Sequence, residues 1–534
     1  MKILLVVPRY ALSIKPDYDY LLPIGLGYIY STLAKAGYEV KGLNLNHYPG
    51  SIKEIIDNRL NSEKFDFVCT GNNALGYAVT ELIIKTAREH SSKPLTILGG
   101  PIITSEPELI FQAINPSFGV LGEGEETILE LIKFIELKKD LSKVKGIIYK
   151  DAKGSLIKTL AREPIQDLDL IPFPNYDAFE IEKQLANISA NFIFYTNLFD
   201  NTRMYPILAS RSCPFQCTFC YHDSRYRRRS MENVMEEICS VVKKYKLNLL
   251  AIHDECFALD KARLKEFCKR INHLRKEISW DLKWTCQLRV ELYDIKTLKM
   301  MKNAGCAVIG YGLESYSPIV LKSMKKNIYP KQIKRALKNA FAAKMALQGF
   351  FIFGDIAETK ETAKETLDYW KKHCKGQVGL GFIQPYPGSA IYKHCVEKGV
   401  IKDKLAFIKD LNVWNWFNMT NDMTDKEILE LKNEILISIS KYTAFTRPLK
   451  IRKMYNGNYE FKVKCPFCKE ILIYKNCRIK NRFTYGFNLI CRKCLLKFFV
   501  VSAIQSIAYA NYSKVRVLRD LQHKLMRFLK KRML

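Results

Sequence analysis

The sequence predicts an α/β protein, with two regions of alternating strands and helices followed by a small cysteine-rich unit. Three observations carry this prediction. Short apolar runs alternate with amphipathic stretches over residues 1–200, the alternation resumes over residues 200–425, and the last hundred residues hold two Cys-x2-Cys pairs. Alternating strands and helices favour parallel sheets that are covered by helices on both faces. A chain of 534 residues exceeds one ordinary core, so two to four domains are expected.

Composition and charge narrow the class of protein. Hydrophobic residues make up 48% and charged residues 26%, as in ordinary globular proteins. Nine of the 16 cysteines are scattered singly, which favours a reducing cytoplasm over a disulfide framework. The N-terminal apolar run is too short for a signal peptide, and no run reaches the ~18 apolar residues of a membrane span.

The net charge of +31 is concentrated near the end of the chain. From Arg447 onward there are 22 lysines and arginines against three acidic residues. Such a tail indicates an anionic partner (nucleic acid, anionic lipid or an acidic protein), or only a solvated surface.

The first region reads as a doubly wound parallel sheet over residues 1–150, joined by a linker, 151–200, to the rest. Its predicted strands are Ile3–Val7, Val40–Leu45, Phe65–Cys69, Leu95–Leu98 and Gly119–Leu121. Ligands of such sheets bind at the carboxyl ends of the strands. The candidate ligand-binding residues in those loops are Gly71, Asn72, Gly99, Gly100, Gly122 and Glu123. None of the loops is a G-x-G-x-x-G fingerprint, so a nicotinamide site is disfavoured.

The second region, 201–425, contains six strand and helix repeats. The strands are predicted at Tyr205–Ala209, Leu249–His253, Leu282–Gln287, Ala307–Gly312, Leu347–Phe353 and Val378–Gln384. Six such units predict a partial (β/α)6 barrel of the TIM type, whose functional residues lie at the carboxyl ends of the strands.

Three cysteines follow the first of these strands, at spacings of four and three: Cys213, Cys217 and Cys220. A closed structural zinc site needs four ligands. A [4Fe–4S] cluster held by three cysteines keeps one iron open for a substrate or cosubstrate. The spacing therefore favours an iron–sulfur cluster over a zinc knuckle or a set of buried apolar thiols.

Charged residues recur at the ends of the following strands. They are Asp254 and Glu255 after the second, Arg289 after the third, Glu314 after the fourth and Glu358 after the fifth, whose backbone edge is flanked by the uncharged Gly349 and Gly354. Any one carboxylate is more often a helix cap or a surface charge. Their recurrence at successive strand ends predicts a binding site for a charged ligand. The run from Arg225 to Ser230 is interpreted as backbone support near the cysteines, with anion binding as the lesser alternative.

The final region, 426–534, predicts a helix, a zinc ribbon and a basic helical tail. Cys465, Cys468, Cys491 and Cys494 form two Cys-x2-Cys pairs, the layout of a tetrahedral zinc site. A second iron–sulfur cluster is the alternative. Cys477 belongs to neither pair. The amphipathic stretch from Ser513 to Leu534 either packs on the ribbon or lies on an anionic membrane surface.

The Cys-x3-Cys-x2-Cys motif, with Phe219 before its last cysteine, resembles that of radical S-adenosylmethionine (SAM) enzymes. The resemblance implies that the open iron binds SAM and that reduction of the cluster yields a 5′-deoxyadenosyl radical. It also implies SAM contacts from Phe219, Asp254, Glu255, Arg289, Glu314, Gly349, Gly354 and Glu358. No catalytic residue is assigned beyond the cluster.

Residues 1–175 resemble the cobalamin-binding domain that precedes the radical SAM domain in one subfamily. The matching pieces include Leu98–Pro101, Gly122–Thr127 and the linker Pro164–Pro174. The resemblance implies cobalamin contacts from Gly71, Asn72, Gly99, Gly100, Gly122 and Glu123. His47 matches half of an axial-ligand motif, but Leu45 stands where an orienting Asp is needed, so His47 is expected to be an ordinary loop residue.

The resulting hypothesis is a cytoplasmic radical SAM enzyme that carries out cobalamin-dependent methyl transfer to an unactivated carbon. A small-molecule or lipid substrate and an electron donor such as flavodoxin or ferredoxin are implied. The alternatives are radical rearrangement, cyclisation or thiolation without methyl transfer, and a nucleic-acid-binding zinc-ribbon protein with a vestigial cluster.

Overall fold

The structure of the protein, a computed structural model, describes residues 1–10, 14–192, 196–222, 225–257, 259–412 and 417–510. The predicted basic helix from Ser513 to Leu534 lies outside these residues. None of the helices in the described part of the chain is both long and apolar enough to cross a membrane.

The first unit is a seven-stranded sheet in the order β2-β1-β3-β4-β5-β6-β7. Its first five strands are parallel, and the last two pair antiparallel at one edge. The strands are β1 Lys2–Val7, β2 Glu39–Asn44, β3 Phe67–Gly71, β4 Leu95–Gly99, β5 Phe118–Val120, β6 Ile147–Lys150 and β7 Leu156–Lys158. The order places a switch point between β1 and β3, where doubly wound sheets bind ligands.

Helices cover both faces of this sheet, and those from α1 to α5 lie in the connections between parallel strands. They are α1 Ile24–Lys35, α2 Ile52–Ser62, α3 Tyr77–Glu89, α4 Pro101–Ser105, α5 Pro107–Ile114, α6 Gly124–Glu136 and, in the predicted linker, α7 Ile181–Asn187. The start of α2 is fixed by a capping box between Ser51 and Glu54. Helix α5 ends at Asn115, whose φ of 55° is the left-handed conformation that Asn tolerates well.

The second unit is a six-stranded, all-parallel sheet in the order β15-β14-β13-β12-β11-β8. Its strands are β8 Met204–Ile207, β11 Leu249–Ile252, β12 Lys283–Leu288, β13 Cys306–Glu314, β14 Ala346–Phe353 and β15 Gly379–Phe382. In the described residues β8 and β15 remain separate edges, so the sheet is an open partial barrel. A short antiparallel ribbon, β9 Ser210–Arg211 with β10 Arg227–Arg228, brackets the three-cysteine loop.

The helices of this unit pack against the sheet through a continuous apolar core that includes Trp284 and Trp370. They are α8 Met231–Tyr245, α9 Lys261–Glu277, α10 Ile295–Asn303, α11 Pro318–Ser323, α12 Pro330–Ala342, α13 Lys360–His373, α14 Ala390–Glu397, α15 Lys404–Asp410 and α16 Asp425–Tyr442. Burying one large apolar side chain contributes about 1.5–3 kcal/mol, so this core is the main stabilising feature of the unit.

The C-terminal unit consists of two three-stranded sheets and a helix. One sheet joins β17 Lys450–Lys453, β18 Tyr459–Lys464 and β19 Ile471–Cys477. The other joins β16 Phe445–Thr446, β20 Gly486–Ile490 and β21 Lys497–Val501, and α17 Ala503–Ala510 follows. The two sheets share no strand pairing among the described residues.

The α/β class predicted from the sequence is confirmed, and all eleven predicted strands of the first two units are present within a few residues. The sequence reading missed the antiparallel strands β6 and β7. Strand β7 and α7 both lie in the segment predicted to be a linker. Short edge strands without a following helix lack the alternation from which the other strands were predicted.

Candidate active site

A cavity of about 710 Å³ lies between the first two units. On one side it is lined by the carboxyl ends of β3, β4 and β5 and by the segment from Leu21 to Leu26 that leads into α1. On the other side it is lined by the start of the second unit, through Leu208, Ser210, Arg211, Ser212, His253 and Glu255. One cavity therefore contacts both parallel sheets at their functional ends.

All six residues predicted to bind cobalamin line this cavity: Gly71, Asn72, Gly99, Gly100, Gly122 and Glu123. A Cβ atom at Gly99 or Gly122 would meet no other atom within 4 Å, so both glycines leave open space beside the cavity wall. Gly100 has φ +85°, and a Cβ there would lie 2.9 Å from the Asn72 carbonyl oxygen. The backbone thus requires glycine at 100 and also at 122, where φ is +74°, while the absent side chains at 99 and 122 leave space in the cavity.

The Glu123 carboxylate, although at the cavity, is surrounded by protein donors. Arg211 Nη1 lies 3.0 Å from it, and Arg227 reaches it with both Nη1 and Nη2 at 2.8 and 2.9 Å. The backbone N–H of Ile165 donates a fourth bond at 2.8 Å. Burial acts to raise the pKa of Glu123, but the bonds from Arg227 and Arg211 outweigh it and hold the pKa below its ordinary value. Glu123 joins the first unit to the β9–β10 ribbon.

The three predicted cluster ligands lie together on the loop that the β9–β10 ribbon brackets. Ser212, just before Cys213, has φ +63°, so the chain turns sharply into the loop. Cys217 is buried, while Cys213 and Cys220 are half-buried. A hydrogen bond with the Cys220 thiol lowers the pKa of Cys217 to about 6 against the opposing effect of burial. Three thiols on one turn, one of them readily ionised, suit iron ligation.

The adjacent acids Asp254 and Glu255 differ in their surroundings. Asp254 is fully enclosed and accepts bonds from Ala209 N and Ser210 Oγ, both at 2.6 Å. Burial raises the pKa of Asp254 to about 6. Glu255 instead lines the cavity, with its carboxylate 3.0 Å from His222 Nδ1. Asp254 thus supports the backbone just before the cysteine loop, and Glu255 is the acid that faces the cavity.

The ligand atoms of Cys213, His222 and Glu255 lie within 4.8 Å of one another. His222 was not predicted, because a single histidine two residues after a cysteine motif carries no recognisable spacing. Its position brings an imidazole and a carboxylate to the open side of the cysteine loop.

A second charged group packs beside the cysteines, around Lys326. Lys326 Nζ lies 2.7 Å from Glu314 Oε1, and the Lys326 carbonyl accepts a bond from Arg289 Nη2 at 2.8 Å. The Arg289 guanidinium lies 3.6 Å from the ring centre of Phe215, and Lys326 Nζ lies 5.9 Å from that of Phe219. Two predicted residues, Arg289 and Glu314, therefore meet through a lysine that no sequence motif indicated.

The predicted SAM-binding residues Gly354 and Glu358 form a tight turn after β14. Gly354 has φ +92°, and its N–H donates to Glu358 Oε2 at 3.2 Å. Thr362 Oγ1 donates to the other carboxylate oxygen at 2.8 Å, and burial raises the pKa of Glu358 to about 7. Gly349 lies within β14, where a Cβ would come within 2.6 Å of the Tyr311 carbonyl oxygen. Glu358 shapes the turn, which leaves backbone groups as the ligand-facing part.

The four C-terminal cysteines form a compact group, with all four sulfur atoms within 4.8 Å of one another. The Sγ atoms of Cys465 and Cys494 are 3.8 Å apart, and those of Cys468 and Cys491 are 3.6 Å apart. Each Cys-x2-Cys pair belongs to a different sheet, so the group joins the two halves of the unit.

His47 is buried away from this site. Its Nε2 lies 2.7 Å from the Tyr20 hydroxyl, and its Nδ1 lies 3.4 Å from Glu180. Burial lowers the pKa of His47 to about 4. His47 is not among the described residues that line the cavity, in line with the expectation that it is an ordinary loop residue.

Comparison with known families assigns both units. The radical SAM superfamily profile matches residues 207–369, and the B12 binding domain profile matches residues 15–132. The chain contains a radical SAM domain. More particularly, a B12-binding domain precedes that domain. The predicted [4Fe–4S] cluster, SAM and cobalamin follow from these two domains.

The relatives and structural neighbours agree with this assignment. The chain is 29% identical over 452 residues to an uncharacterised methyltransferase of Pyrococcus horikoshii, covering 83% of this chain and 90% of that one. It is 27% identical over 334 residues to an anaerobic magnesium-protoporphyrin IX monomethyl ester cyclase of Rubrivivax gelatinosus, covering 60% and 57%. The fold matches the radical SAM methyltransferase TsrM from Kitasatospora setae with a TM-score of 0.60, 18% identity and 75% coverage of both chains.

The residues present fit these cofactors. The cluster needs three thiolates on one turn, which Cys213, Cys217 and Cys220 supply. A large ligand needs a cavity of several hundred Å³ with close backbone approach, and the open space at Gly99 and Gly122 provides that approach.

Proposed function

We propose that the protein is a radical SAM enzyme that carries out cobalamin-dependent methyl transfer to an unactivated carbon. The observation that carries the proposal is the single cavity bounded by both units. Its wall includes the glycine loops of the B12-binding domain and, opposite them, Ser212 and Glu255 next to the cysteine loop. A methyl carrier and a radical source have to meet the same substrate, and a shared cavity allows this.

When bound, the cluster with SAM supplies a 5′-deoxyadenosyl radical, and cobalamin supplies a transferable methyl group. In our proposal Cys213, Cys217 and Cys220 hold the cluster. The carboxylate of Glu255 provides a partner for an ammonium group, and the Arg289 guanidinium, which also contacts Glu291, provides one for a carboxylate. Asp254 and Glu358 act indirectly, by fixing the backbone on either side of the ligand.

For cobalamin, we assign Gly71, Asn72, Gly99, Gly100 and Gly122 as the residues that would form the wall of its site, and we assign His47 no contact with it. The buried position of His47, bonded to Tyr20, supports this assignment. Glu123 is then a positioning residue, which orients the wall through its two arginines.

Cyclisation without methyl transfer is the second candidate, because the Rubrivivax relative is named a cyclase. The two candidates share the cluster and SAM chemistry and differ in whether a methyl group leaves SAM. A nucleic-acid-binding role would depend on the basic segment that starts at Arg447, whose last part, from Ser513 to Leu534, lies outside the described residues.

The test is an anaerobic assay of the reconstituted full chain with SAM, cobalamin and a low-potential reductant. We expect 5′-deoxyadenosine together with S-adenosylhomocysteine, the latter only when cobalamin is present. Failure to form 5′-deoxyadenosine with an intact cluster would contradict the radical function. Formation of 5′-deoxyadenosine without S-adenosylhomocysteine would favour cyclisation or rearrangement.

The C-terminal unit we propose to be a zinc ribbon, which forms the third domain after the units at 1–150 and 201–425. A Zn–S bond of about 2.3 Å places the sulfur atoms of a regular tetrahedron about 3.8 Å apart. The separations of 3.8 and 3.6 Å fit that geometry. The cysteines of a [4Fe–4S] cluster each bind a different iron and have to lie farther apart, so zinc is favoured.

The remaining parts of the proposal concern the surroundings of the enzyme. All 16 cysteines are free thiols, which supports a reducing compartment such as the cytoplasm. Reduction of the cluster needs a small electron-transfer protein such as flavodoxin or ferredoxin. The substrate class remains a small molecule or lipid, and the basic C-terminus remains a candidate surface for an anionic partner.

A further inference from the structure

We propose that the metal ion held by Cys465, Cys468, Cys491 and Cys494 acts as a clamp that fixes one wall of the cobalamin cavity. The inference rests on the proposed cobalamin site, and it assigns the C-terminal unit a role in cofactor retention. A continuous chain of short contacts leads from the ribbon that holds the four cysteines, starting at Asn476 and Arg478, to the segment 17–22.

The first step leads from the ribbon to residues 188–191, the clamp segment. The Ala190 N–H donates to the Asn476 carbonyl at 2.9 Å, and Asn476 Nδ2 donates to the Ile188 carbonyl at 3.1 Å. Asn191 and Arg478 exchange two further bonds, at 2.7 and 2.9 Å. Ala190 is fully buried within the apolar core of the ribbon itself. The clamp segment therefore behaves as part of the ribbon.

The second step leads from the clamp segment to Asp19. Ser189 donates to the Asp19 carboxylate through its N–H and its hydroxyl, both at 2.8 Å. Arg478 Nη1 also lies 2.6 Å from Asp17 and 3.5 Å from Asp19. An acid that accepts two bonds and faces a guanidinium is held firmly in place.

The third step leads from Asp19 to the cavity. Leu21 and Leu22, two and three residues further on, line the cavity next to the start of α1. Gln184 Nε2 fixes the intervening Tyr20 carbonyl at 2.6 Å. Displacement of Asp19 would therefore move the apolar wall on which a ligand rests.

The metal is needed because two of its ligands belong to the core on which the clamp segment rests. The two sheets share no strand pairing in the described chain and meet in one small apolar core, to which Cys465, Cys491 and Ala190 all belong. A unit this small, with six short strands, buries too little apolar surface to be stable alone, and structural zinc commonly supplies the difference. Without the metal, this shared core loosens and the clamp segment loses its support.

The test compares the full chain with its Cys468→Ser variant, and uses Cys239→Ser on α8 as a matched control because that thiol is half-buried and remote. We expect one zinc per wild-type or control chain and less than a tenth of that in Cys468→Ser. Hydroxocobalamin should bind the variant at least tenfold more weakly, with its iron content unchanged. Full zinc content in Cys468→Ser, or iron in place of zinc in the wild type, would overturn the metal assignment.

A second variant separates the clamp from simple unfolding of the ribbon. Arg478→Ala combined with Asp19→Asn keeps all four cysteines and removes the charged contact. We expect full zinc content with cobalamin binding weakened several-fold. If both this double variant and zinc-free Cys468→Ser bind cobalamin with wild-type affinity, the proposed role of the metal in cobalamin binding is overturned.

Hydrogen exchange provides a readout that does not depend on cobalamin. Amides of residues 17–22 and 188–191 should exchange at least tenfold faster in Cys468→Ser than in the wild type, whereas amides of β11 and β12 should not change. If the wild type binds no cobalamin, the proposed cofactor role fails, and the exchange result alone decides whether the metal orders the segment. Unchanged exchange in 17–22 would overturn the inference.

Discussion

The protein places two cysteine groups in opposite settings. The three-cysteine loop spans residues 213–220. Cys217 is buried, the other two cysteines are half-buried, and the charged side chains of Glu255 and Lys326 lie beside the loop. The four-cysteine group joins two sheets, with sulfur separations of 3.6 and 3.8 Å. In our proposal, cysteine sulfur therefore serves two kinds of site. One site is reactive because a coordination position is left open, and the other is structural because all four positions are filled.

The difference predicts that the two groups depend on their surroundings to different degrees. A closed group is specified by its own four ligands. An open group needs neighbours to bind the molecule that fills its free position, and in this protein those neighbours come from both parallel sheets.

The largest expected effect is the loss of activity in Cys217→Ala. Removal of one of three cluster ligands should lower SAM cleavage by about a thousandfold or more, a loss of about 4 kcal/mol in transition-state stabilisation. Zinc content should stay at one per chain. The reciprocal variant, Cys491→Ser, should lose zinc and keep its iron. Metal analysis and 5′-deoxyadenosine formation check both, and a variant that loses both metals would show that the two groups are not independent.

The next effect concerns Glu123. This residue supports the ribbon that brackets the three-cysteine loop, and we expect the four-cysteine group not to depend on it. Glu123→Gln removes a charge partner of Arg227 and leaves Arg211 with Glu125 alone, and loss of one member of a buried pair costs about 3–5 kcal/mol. We expect a lower urea midpoint at pH 7 and unchanged zinc content. Asp169→Asn provides a matched control, because it also neutralises one acid, but one that lies in the predicted linker.

The pH dependence of this effect has a definite sign. The pKa of Glu123 is held below its ordinary value, so its stabilising contribution is complete above the unfolded pKa of about 4.3 and is lost as pH falls through the folded pKa. The difference between wild type and Glu123→Gln should shrink as pH is lowered below 4. A constant difference would mean that the charge of Glu123 is not responsible.

A smaller effect is expected from Gly99→Leu, which fills the cavity. A side chain at 99 meets no protein atom at its Cβ, so the fold should tolerate it while cobalamin affinity falls by about tenfold or more, or about 1.4 kcal/mol. Gly99→Ala is the matched control and should retain most of the affinity. Equal cobalamin absorbance in all three proteins would place the cofactor elsewhere.

The smallest effect on the cofactor is expected from His47→Gln. Cobalamin affinity and absorption spectrum should match those of the wild type, because His47 is bonded to Tyr20 and Glu180 outside the cavity lining. Stability should fall by about 1–3 kcal/mol because a buried hydrogen-bonded group is replaced. A shift of the cobalt absorption band would contradict this placement.

The sequence was most informative where a pattern is local. Strand positions, the three-cysteine loop and the glycine loops follow from periodicity and spacing, and Gly71, Gly99 and Gly122 meet at one cavity as parallel strand ends require. The partners of Glu123 were missed, since Arg211 and Arg227 lie about ninety residues or more further along the chain. Lys326 was missed for the same reason, because only folding brings it to Glu314. Contacts between single charged residues that are far apart in the sequence leave no periodic pattern from which they could be predicted.

The roles of adjacent acids also required the structure. Asp254 and Glu255 are equivalent in the sequence, yet one is enclosed by the Ala209 and Ser210 backbone and the other faces the cavity. Burial of one side chain at the end of a strand depends on what packs above it, which a strand pattern does not encode.

The central claim, that one cavity brings the cluster and cobalamin together, is tested most directly by electron paramagnetic resonance. The reconstituted full chain is loaded with cob(II)alamin, and the relaxation rate of its electron spin is measured with the cluster oxidised and then reduced. We predict faster relaxation when the cluster is reduced, and no such change in Cys217→Ala. A cob(II)alamin spin that is fully bound yet insensitive to the reduced cluster would contradict the shared cavity.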